Sequence, residues 1–179
     1  MTEKDIHPSA PDAAAAPLVA SEVGPHERHA VILLLRLAEP SETALDWSLD
    51  HLSDTVYRFD RGDALVGAAT MRWRDEPSEL VELAVAAEHQ GAGNGKQIIG
   101  WLVAEARRRG RHAIEVGTSS ASLDNIAFYQ KCGFRPSAIR RDYFWYHRQV
   151  LMEHGIPVRD MIVFRYDLDP EPAPRRRRR

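Results

Sequence analysis

The chain has 179 residues and a mass of 20.2 kDa, the size of one ordinary domain that can bury a core without disulfides or a structural metal. Its single cysteine, Cys132, excludes an intrachain disulfide and suits a reducing, cytoplasmic setting, and no apolar run approaches the ~20 residues of a membrane helix, so no membrane partner is expected. The net charge is −2; setting aside the five terminal arginines leaves 19 basic residues against 26 acidic ones, so the folded part is acidic and a nucleic-acid partner is not expected.

In chain order, residues 1–29 are rich in Ala, Pro and charge, lack periodicity and read as a disordered tail. No secretory signal is expected there, because Asp12 interrupts the alanine-rich patch and Pro17 follows. The domain is expected over residues 30–168. Ala30 to Leu37 is an apolar run of strand length. Ser41 to Leu52 has helical spacing, with Leu45, Leu49 and Leu52 on one face and Ser41 as N-cap. Thr55 to Phe59 and Ala64 to Arg72 read as a hairpin about the turn Asp60-Arg61-Gly62-Asp63. Glu79 to Val85 is a further strand, followed by the run Gln90-Gly91-Ala92-Gly93-Asn94-Gly95-Lys96.

The clearest helix comes next, with Ile98, Ile99, Leu102, Val103 and Ala106 at i, i+3 and i+4 spacing. Arg107, Arg108 and Arg109 fill its last turn, where cations suit the helix dipole, and Gly110 stands just past its end. Ala113 to Val116 is a strand, and Leu123 to Cys132 a short helix ended by Gly133. Phe134 to Phe144 and Asp160 to Leu168 read as two closing strands, and residues 169–179 as a second, Pro- and Arg-rich disordered tail. The order is mixed α/β, with a glycine-rich loop between a strand and the best helix.

Such a loop suits an anion, because glycines let backbone N–H groups converge and the helix dipole adds positive potential. A P-loop needs four residues between its first Gly and the Gly-Lys pair, followed by Ser or Thr. Here three residues separate Gly91 from Gly95, and Gln97 follows Lys96. A dinucleotide fingerprint needs G-x-G-x-x-G, whereas Gly91, Gly93 and Gly95 are spaced G-x-G-x-G. The pattern Q/R-x-x-G-x-G/A fits. Gln90 to Gly95 resembles the acetyl-CoA pyrophosphate loop of the GNAT superfamily of N-acetyltransferases. Asn125-Ile126-Ala127-Phe128-Tyr129-Gln130-Lys131-Cys132-Gly133-Phe134 resembles the same family's second signature, an Asn and a Tyr before Gly-Phe. Gly155 to Met161 resembles a bacterial subgroup of largely unassigned substrate.

The resemblance implies an α+β fold: a central, mixed, mostly antiparallel twisted sheet flanked by helices, its central strands splayed. It implies acetyl-CoA as co-substrate without a metal, and a primary amine, small-molecule or peptide, as acceptor, attacking directly in a ternary complex. The pyrophosphate is expected on the backbone N–H groups of Gln90, Gly91, Ala92, Gly93, Asn94, Gly95 and Lys96. The pantetheine is expected along Leu83, Ala84 and Val85, with the Val85 N–H as oxyanion donor. Asn125 is expected to bond the cofactor's amide arm, and Tyr129 to protonate the departing thiolate.

The base is expected to be Glu79 or Glu82, or a water chain in place of a direct base. The two glutamates lie an odd number apart and face opposite sides of a regular strand, but a bulge changes that parity. Glu79 lies at the spacing from Gln90 where several family members keep a catalytic glutamate. His26, His29, His112, His147, His154 and Cys132 find no partner pattern that makes a metal or nucleophile site. Tyr143 to Tyr146 is an aromatic cluster suited to a core wall, a pocket wall or a homodimer seam. The acceptor-side segments are expected at Pro40 to Asp54 and Tyr146 to Arg159. A competing reading on the same fold is an acyl-CoA-binding regulatory module without robust catalysis.

Overall fold

A computed structural model describes residues 16–146 and 150–169. The reading of residues 1–15 and 170–179 as tails, and His147, lie outside the described residues. Among the described residues there are nine strands and four α-helices, and the main sheet carries helices on both faces. The strands are β1 (Leu18–Glu22), β2 (Thr55–Arg61), β3 (Ala64–Arg72), β4 (Ser78–Val85), β5 (Ala113–Ser119), β6 (Arg135–Arg140), β7 (Met152–Glu153), β8 (Ile156–Pro157) and β9 (Met161–Asp167). The helices are α1 (His29–Leu35), α2 (Glu42–His51), α3 (Asn94–Arg108) and α4 (Leu123–Lys131). Seven strands join in the order β1-β2-β3-β4-β5-β9-β6, and β7 and β8 pair as a separate hairpin. Neighbours in the seven-stranded sheet run antiparallel except β4 and β5, which are parallel. The expected mixed, mostly antiparallel sheet is therefore present.

Two apolar layers sandwich the sheet. On one face Ile98, Ile99, Leu102, Val103 and Ala106 of α3 and Tyr129 of α4 pack against Phe59, Met71, Leu80, Ile114, Val116 and Phe164. On the other, Val31, Leu34 and Leu35 of α1 and Leu45 and Leu49 of α2 pack over Val56, Ala68 and Ala84. α2 starts as its sequence dictates: Ser41 Oγ accepts the Ala44 N–H at 3.3 Å, a side-chain N-cap.

Three expectations are corrected. The run Ala30 to Leu37 is not a strand: it lies mostly in α1, with Val31, Leu34 and Leu35 buried and Leu33 exposed. An all-apolar run carries neither period, so the i, i+3, i+4 set was chosen by the layer it packs into. The presumed tail 1–29 contains β1, whose Leu18 to Glu22 pair with Arg61 to Tyr57, and Val23 is buried and donates its N–H to Val56 at 2.8 Å. The open edge of β2 supplies the hydrogen bonds, and Leu18 and Ala20 reach the core beneath. The strand expected over Phe134 to Phe144 stops at Arg140. Asp142 takes a left-handed φ of 51°, and Tyr143 to Tyr146 lie in the turn that follows.

Candidate active site

β4 is where the sheet opens. It pairs with β5 only over Ser78 to Leu80, opposite Ile114 to Val116. Beyond Leu80, β4 stays with β3 as far as Val85, while Gly117 to Ser119 stay with β9. The two central strands therefore part after three rungs, which is the splay implied by the resemblance. On β4, Ala86 just past the strand donates its N–H to Val66 at 2.9 Å, on the β3 side. Strand alternation then turns the amides of Ala84 toward β3 and those of Leu83 and Val85 toward the gap. The Val85 carbonyl is met there by Gln90 Nε2 at 2.9 Å. A cleft edged by unpaired strand amides can take an extended amide chain as an extra strand.

A bulge settles the geometry of the two glutamates. Thr70 pairs with Glu82 but Met71 pairs with Leu80, so Val81 is the extra residue on β4. Glu82 and Glu79 thus stand opposite Thr70 and Arg72, residues two apart on β3 and therefore on one face. Both carboxylates point to the layer of α1 and α2. Their surroundings differ. Glu79 is ion-paired with Arg72. Glu82 is buried, and its two carboxylate oxygens accept hydrogen bonds from Ser48 Oγ of α2 and Thr70 Oγ1 of β3. Its own N–H donates to Thr70 Oγ1 at 3.0 Å. Burial raises the Glu82 pKa above the ordinary carboxylate value. The two hydroxyl donors oppose that rise, and the nearby charges of Glu39 and Glu79 add to it.

The glycine loop lies beyond the end of β4. Gly91 and Gly93 have φ of +74° and +80°, the left-handed region that a side chain makes costly, and open space surrounds each missing Cβ. Gly93 is the N-cap of the 15-residue α3 and leaves that helix's first N–H groups without a side-chain cap. At Gly95 a Cβ would meet Phe128 of α4 at 3.1 Å, so glycine there permits close approach of α3 and α4. Asn94 is buried and braces the loop. Its Nδ2 donates to the His89 carbonyl at 2.8 Å, and its Oδ1 accepts from Arg61 Nη2 at 2.9 Å. Lys96 is exposed on the first turn. A glycine-rich loop at the start of a long helix suits a multiply charged anion, because its backbone N–H groups are not screened by side chains at Gly91 and Gly93.

α4 stands on the α3 face, above β5 and β9. Asn125 is exposed at its first turns, with Nδ2 3.4 Å from Thr118 Oγ1 on the part of β5 that has left β4. One turn later Tyr129 is buried among Phe128, Phe134 and Phe164, at ring-centroid distances of 5.2, 5.8 and 6.1 Å. Burial pushes its hydroxyl pKa well above the usual tyrosine value. Glu82 and Tyr129 therefore lie in the apolar layers on opposite faces of the sheet.

Other candidates lie apart. His26 and His29 are exposed and contact each other through the His26 carbonyl, at 3.2 Å. His112 bonds Asp169 at 3.0 Å at the opposite end of β5. His154 contacts the Ala121 carbonyl and Asp124 at 3.1 and 3.4 Å, beside Asn125. Burial raises the Cys132 thiol pKa, which makes it a poor nucleophile at neutral pH. Among the described residues no group of three or more His, Cys, Asp or Glu is placed to hold a metal ion, and no helix is long and apolar enough to cross a membrane. Both expected acceptor-side segments reach the neighbourhood of Glu82: Ser48 from one, and from the other Tyr146, whose hydroxyl donates to Glu39 at 3.4 Å. Sequence reading missed Ser48, Thr70, Glu39 and Arg61. No motif marks them; the one available signal was a hydroxyl, Ser48, placed between the apolar Leu45 and Leu49 of an amphipathic helix.

The family model for the acetyltransferase (GNAT) family matches residues 26–134. The chain is 35% identical over 149 residues to the uncharacterized N-acetyltransferase YvbK of Bacillus subtilis, covering 82% of this chain and 95% of that protein. It superimposes on a Bacillus subtilis acetyltransferase in complex with CoA with a TM-score of 0.73 at 32% identity, covering 84% of this chain and 99% of the other. A GNAT family acetyltransferase from Elizabethkingia anophelis with acetyl-CoA bound gives a TM-score of 0.74 at 26% identity, over 84% and 97% of the two chains. With its splayed β4 and β5 and its glycine loop at the start of α3, this chain belongs to the GNAT family of acetyltransferases and is an acyltransferase.

Proposed function

We propose that the protein transfers the acetyl group of acetyl-CoA to a primary amine, by direct attack while both substrates are bound. The observation that carries this reading is the joining of three features at one place. These are strands parted after Leu80, a loop with left-handed Gly91 and Gly93 beyond them, and a buried glutamate two residues past the last rung. The residues fit the co-substrate. The loop offers glycine-lined backbone N–H groups from Gly91 to Lys96 to a pyrophosphate, the Gln90 N–H being held by the Ala87 carbonyl at 3.3 Å, and the edge of Leu83 and Val85, with Ala84 turned to β3 between them, offers strand-like hydrogen bonds to a pantetheine. Asn125 borders the same gap from α4.

When bound, acetyl-CoA supplies the activated acyl carbon as a thioester. The chain's own residues do the rest. Glu82 takes the proton that an alkylammonium, pKa near 10.4, must lose before it attacks, directly or through a water. Glu79, committed to Arg72, shapes the charge of the acceptor side instead. The Val85 N–H, turned into the gap, stabilises negative charge developing on the acyl oxygen. Tyr129, protonated at neutral pH as any tyrosine is, donates to the leaving sulfur from the other face. Separation of base and acid by the sheet lets each keep its own protonation state.

The test is a thiol-release assay with acetyl-CoA against a panel of primary amines, from polyamines and aminoglycosides to peptide N-termini and lysine side chains. Amine-dependent release of CoA, with a mass gain of one acetyl group on the amine, is the expected outcome. Tight acetyl-CoA binding by calorimetry without turnover on any amine would overturn the reading.

A further inference from the structure

Glu82 has to be ionised to act as a base, although it lies in a buried layer that resists ionisation. Its carboxylate meets two neutral donors from two separate elements. Ser48 Oγ, itself buried on the inner face of α2, donates to one oxygen, and Thr70 Oγ1, fully buried on β3, donates to the other. Thr70 also accepts the Glu82 N–H at 3.0 Å, so the hydroxyl is oriented by the bulged backbone beside it. Each carboxylate oxygen has two lone-pair sites, so one hydroxyl on each leaves one site per oxygen for an incoming ammonium or relay water. We propose that Ser48 and Thr70 are positioning residues for the transfer: their hydroxyls clamp the Glu82 carboxylate from α2 and β3 in the orientation that receives the acceptor's proton.

The surrounding charges give the clamp its purpose. On the same strand stands Glu79, itself bound to Arg72 of β3. From the turn between α1 and α2 comes Glu39, and from the turn after β6 come Tyr143 and Tyr146, with Tyr146 bonded to Glu39. Glu39 and Glu79 both disfavour ionisation of Glu82. Only the two hydroxyls favour it among these neighbours, and they do so without a formal charge that would repel a cationic amine or form a competing ion pair. Removing either donor withdraws support from the ionised form alone, so Glu82 would hold its proton to higher pH.

The inference rests on the assignment of Glu82 as base, and the experiment separates the two. Protein is prepared with glutamate ¹³C-labelled at the side-chain carboxyl, and the Glu82 resonance is identified by its loss in Glu82→Gln. Its titration is followed in the unaltered chain, Ser48→Ala, Thr70→Val and Thr70→Ser. The kcat/KM pH profile is measured in parallel with acetyl-CoA and the most active amine of the panel. A lost hydrogen bond to a charged group should move the Glu82 midpoint up by about 1 pH unit in Ser48→Ala and in Thr70→Val. Thr70→Ser should restore it, and the acid limb of the profile should move by the same amount. A simple packing role would lower thermal stability and leave both midpoint and limb in place. Unmoved midpoints in Ser48→Ala and Thr70→Val overturn the clamp, whatever the kinetics do. Midpoints that move under an unmoved acid limb overturn the base assignment, and with it the catalytic purpose of the clamp. Ser48→Ala keeps helix propensity and Thr70→Val keeps shape, so each variant tests the hydroxyl within a folded chain.

Discussion

Glu79 and Glu82 differ by three positions and by nearly everything else. Glu79 faces a guanidinium, whereas Glu82 sits in an apolar layer with two hydroxyls and two neighbouring like charges. Glu82→Gln should cut kcat about 10²–10⁴-fold, with the deficit shrinking at high pH, where the free amine is already deprotonated. Glu79→Gln should leave the pH profile in place and act mainly on KM. Initial-rate kinetics across pH distinguish the two. The same burial has a sign for stability. Since folding raises the Glu82 pKa, its contribution is fully present below the unfolded value of an ordinary carboxylate and is lost as pH rises through the folded value. Glu82→Gln should therefore melt higher than the unaltered chain at neutral pH, with the advantage gone in acid; calorimetry at several pH values checks it. For Tyr129→Phe, the ring packing against Phe134 and Phe164 survives and only the donor goes. Its kcat should fall about 10- to 10³-fold with little change in acetyl-CoA affinity. Unchanged kcat would remove Tyr129 from the reaction.

At the scale of elements, the bulge in β4 and the start of α3 decide what the sequence only allowed. The parity rule sends Glu79 and Glu82 to opposite faces, and one extra residue, Val81, brings them together. A bulge leaves no composition signal in Leu80-Val81-Glu82, so the shared face of the two glutamates was not legible. The glycine loop was legible, because the positive φ values at Gly91 and Gly93 are a requirement that glycine meets at low cost. Gly93→Asp places a Cβ and a negative charge where the backbone N–H groups converge. Each lost hydrogen bond to a charged group costs ~1.5–3 kcal/mol, so acetyl-CoA affinity should drop at least 10²-fold in calorimetry while the far-ultraviolet spectrum is retained. An unchanged affinity would dissociate the loop from the co-substrate.

For the molecule as a whole, β1 is part of the domain and not an appendage. It closes one edge of the sheet, and Val23 beyond it is buried in the layer of α1 and α2. A chain beginning at Ala30 loses the β1 ladder and that side chain. At about 1 kcal/mol per hydrogen bond and ~1.5–3 kcal/mol for the valine, the loss is at least ~3 kcal/mol. That lowers Tm by about 10 °C for a domain of this size, which thermal unfolding measures directly. An unchanged Tm would return residues 18–23 to the status of a tail.

What the sequence determined by itself follows from local rules. The N-cap at Ser41, the i, i+3, i+4 stripe of α3, the glycines of the loop and the four-residue step from Asn125 to Tyr129 are each a short-range requirement of backbone geometry or of one helix face. Tertiary structure alone decided the rest, because those features depend on partners far along the chain. The apolar run of α1 became a helix only when a layer selected one of its faces, and the weak stretch Leu18 to Glu22 became a strand because β2 had an open edge. Glu82 acquired its setting from Ser48, 34 positions away, and Thr70, 12 positions away. Burial and hydrogen bonding across such distances fix the protonation of a carboxylate, and no local pattern of residues encodes them.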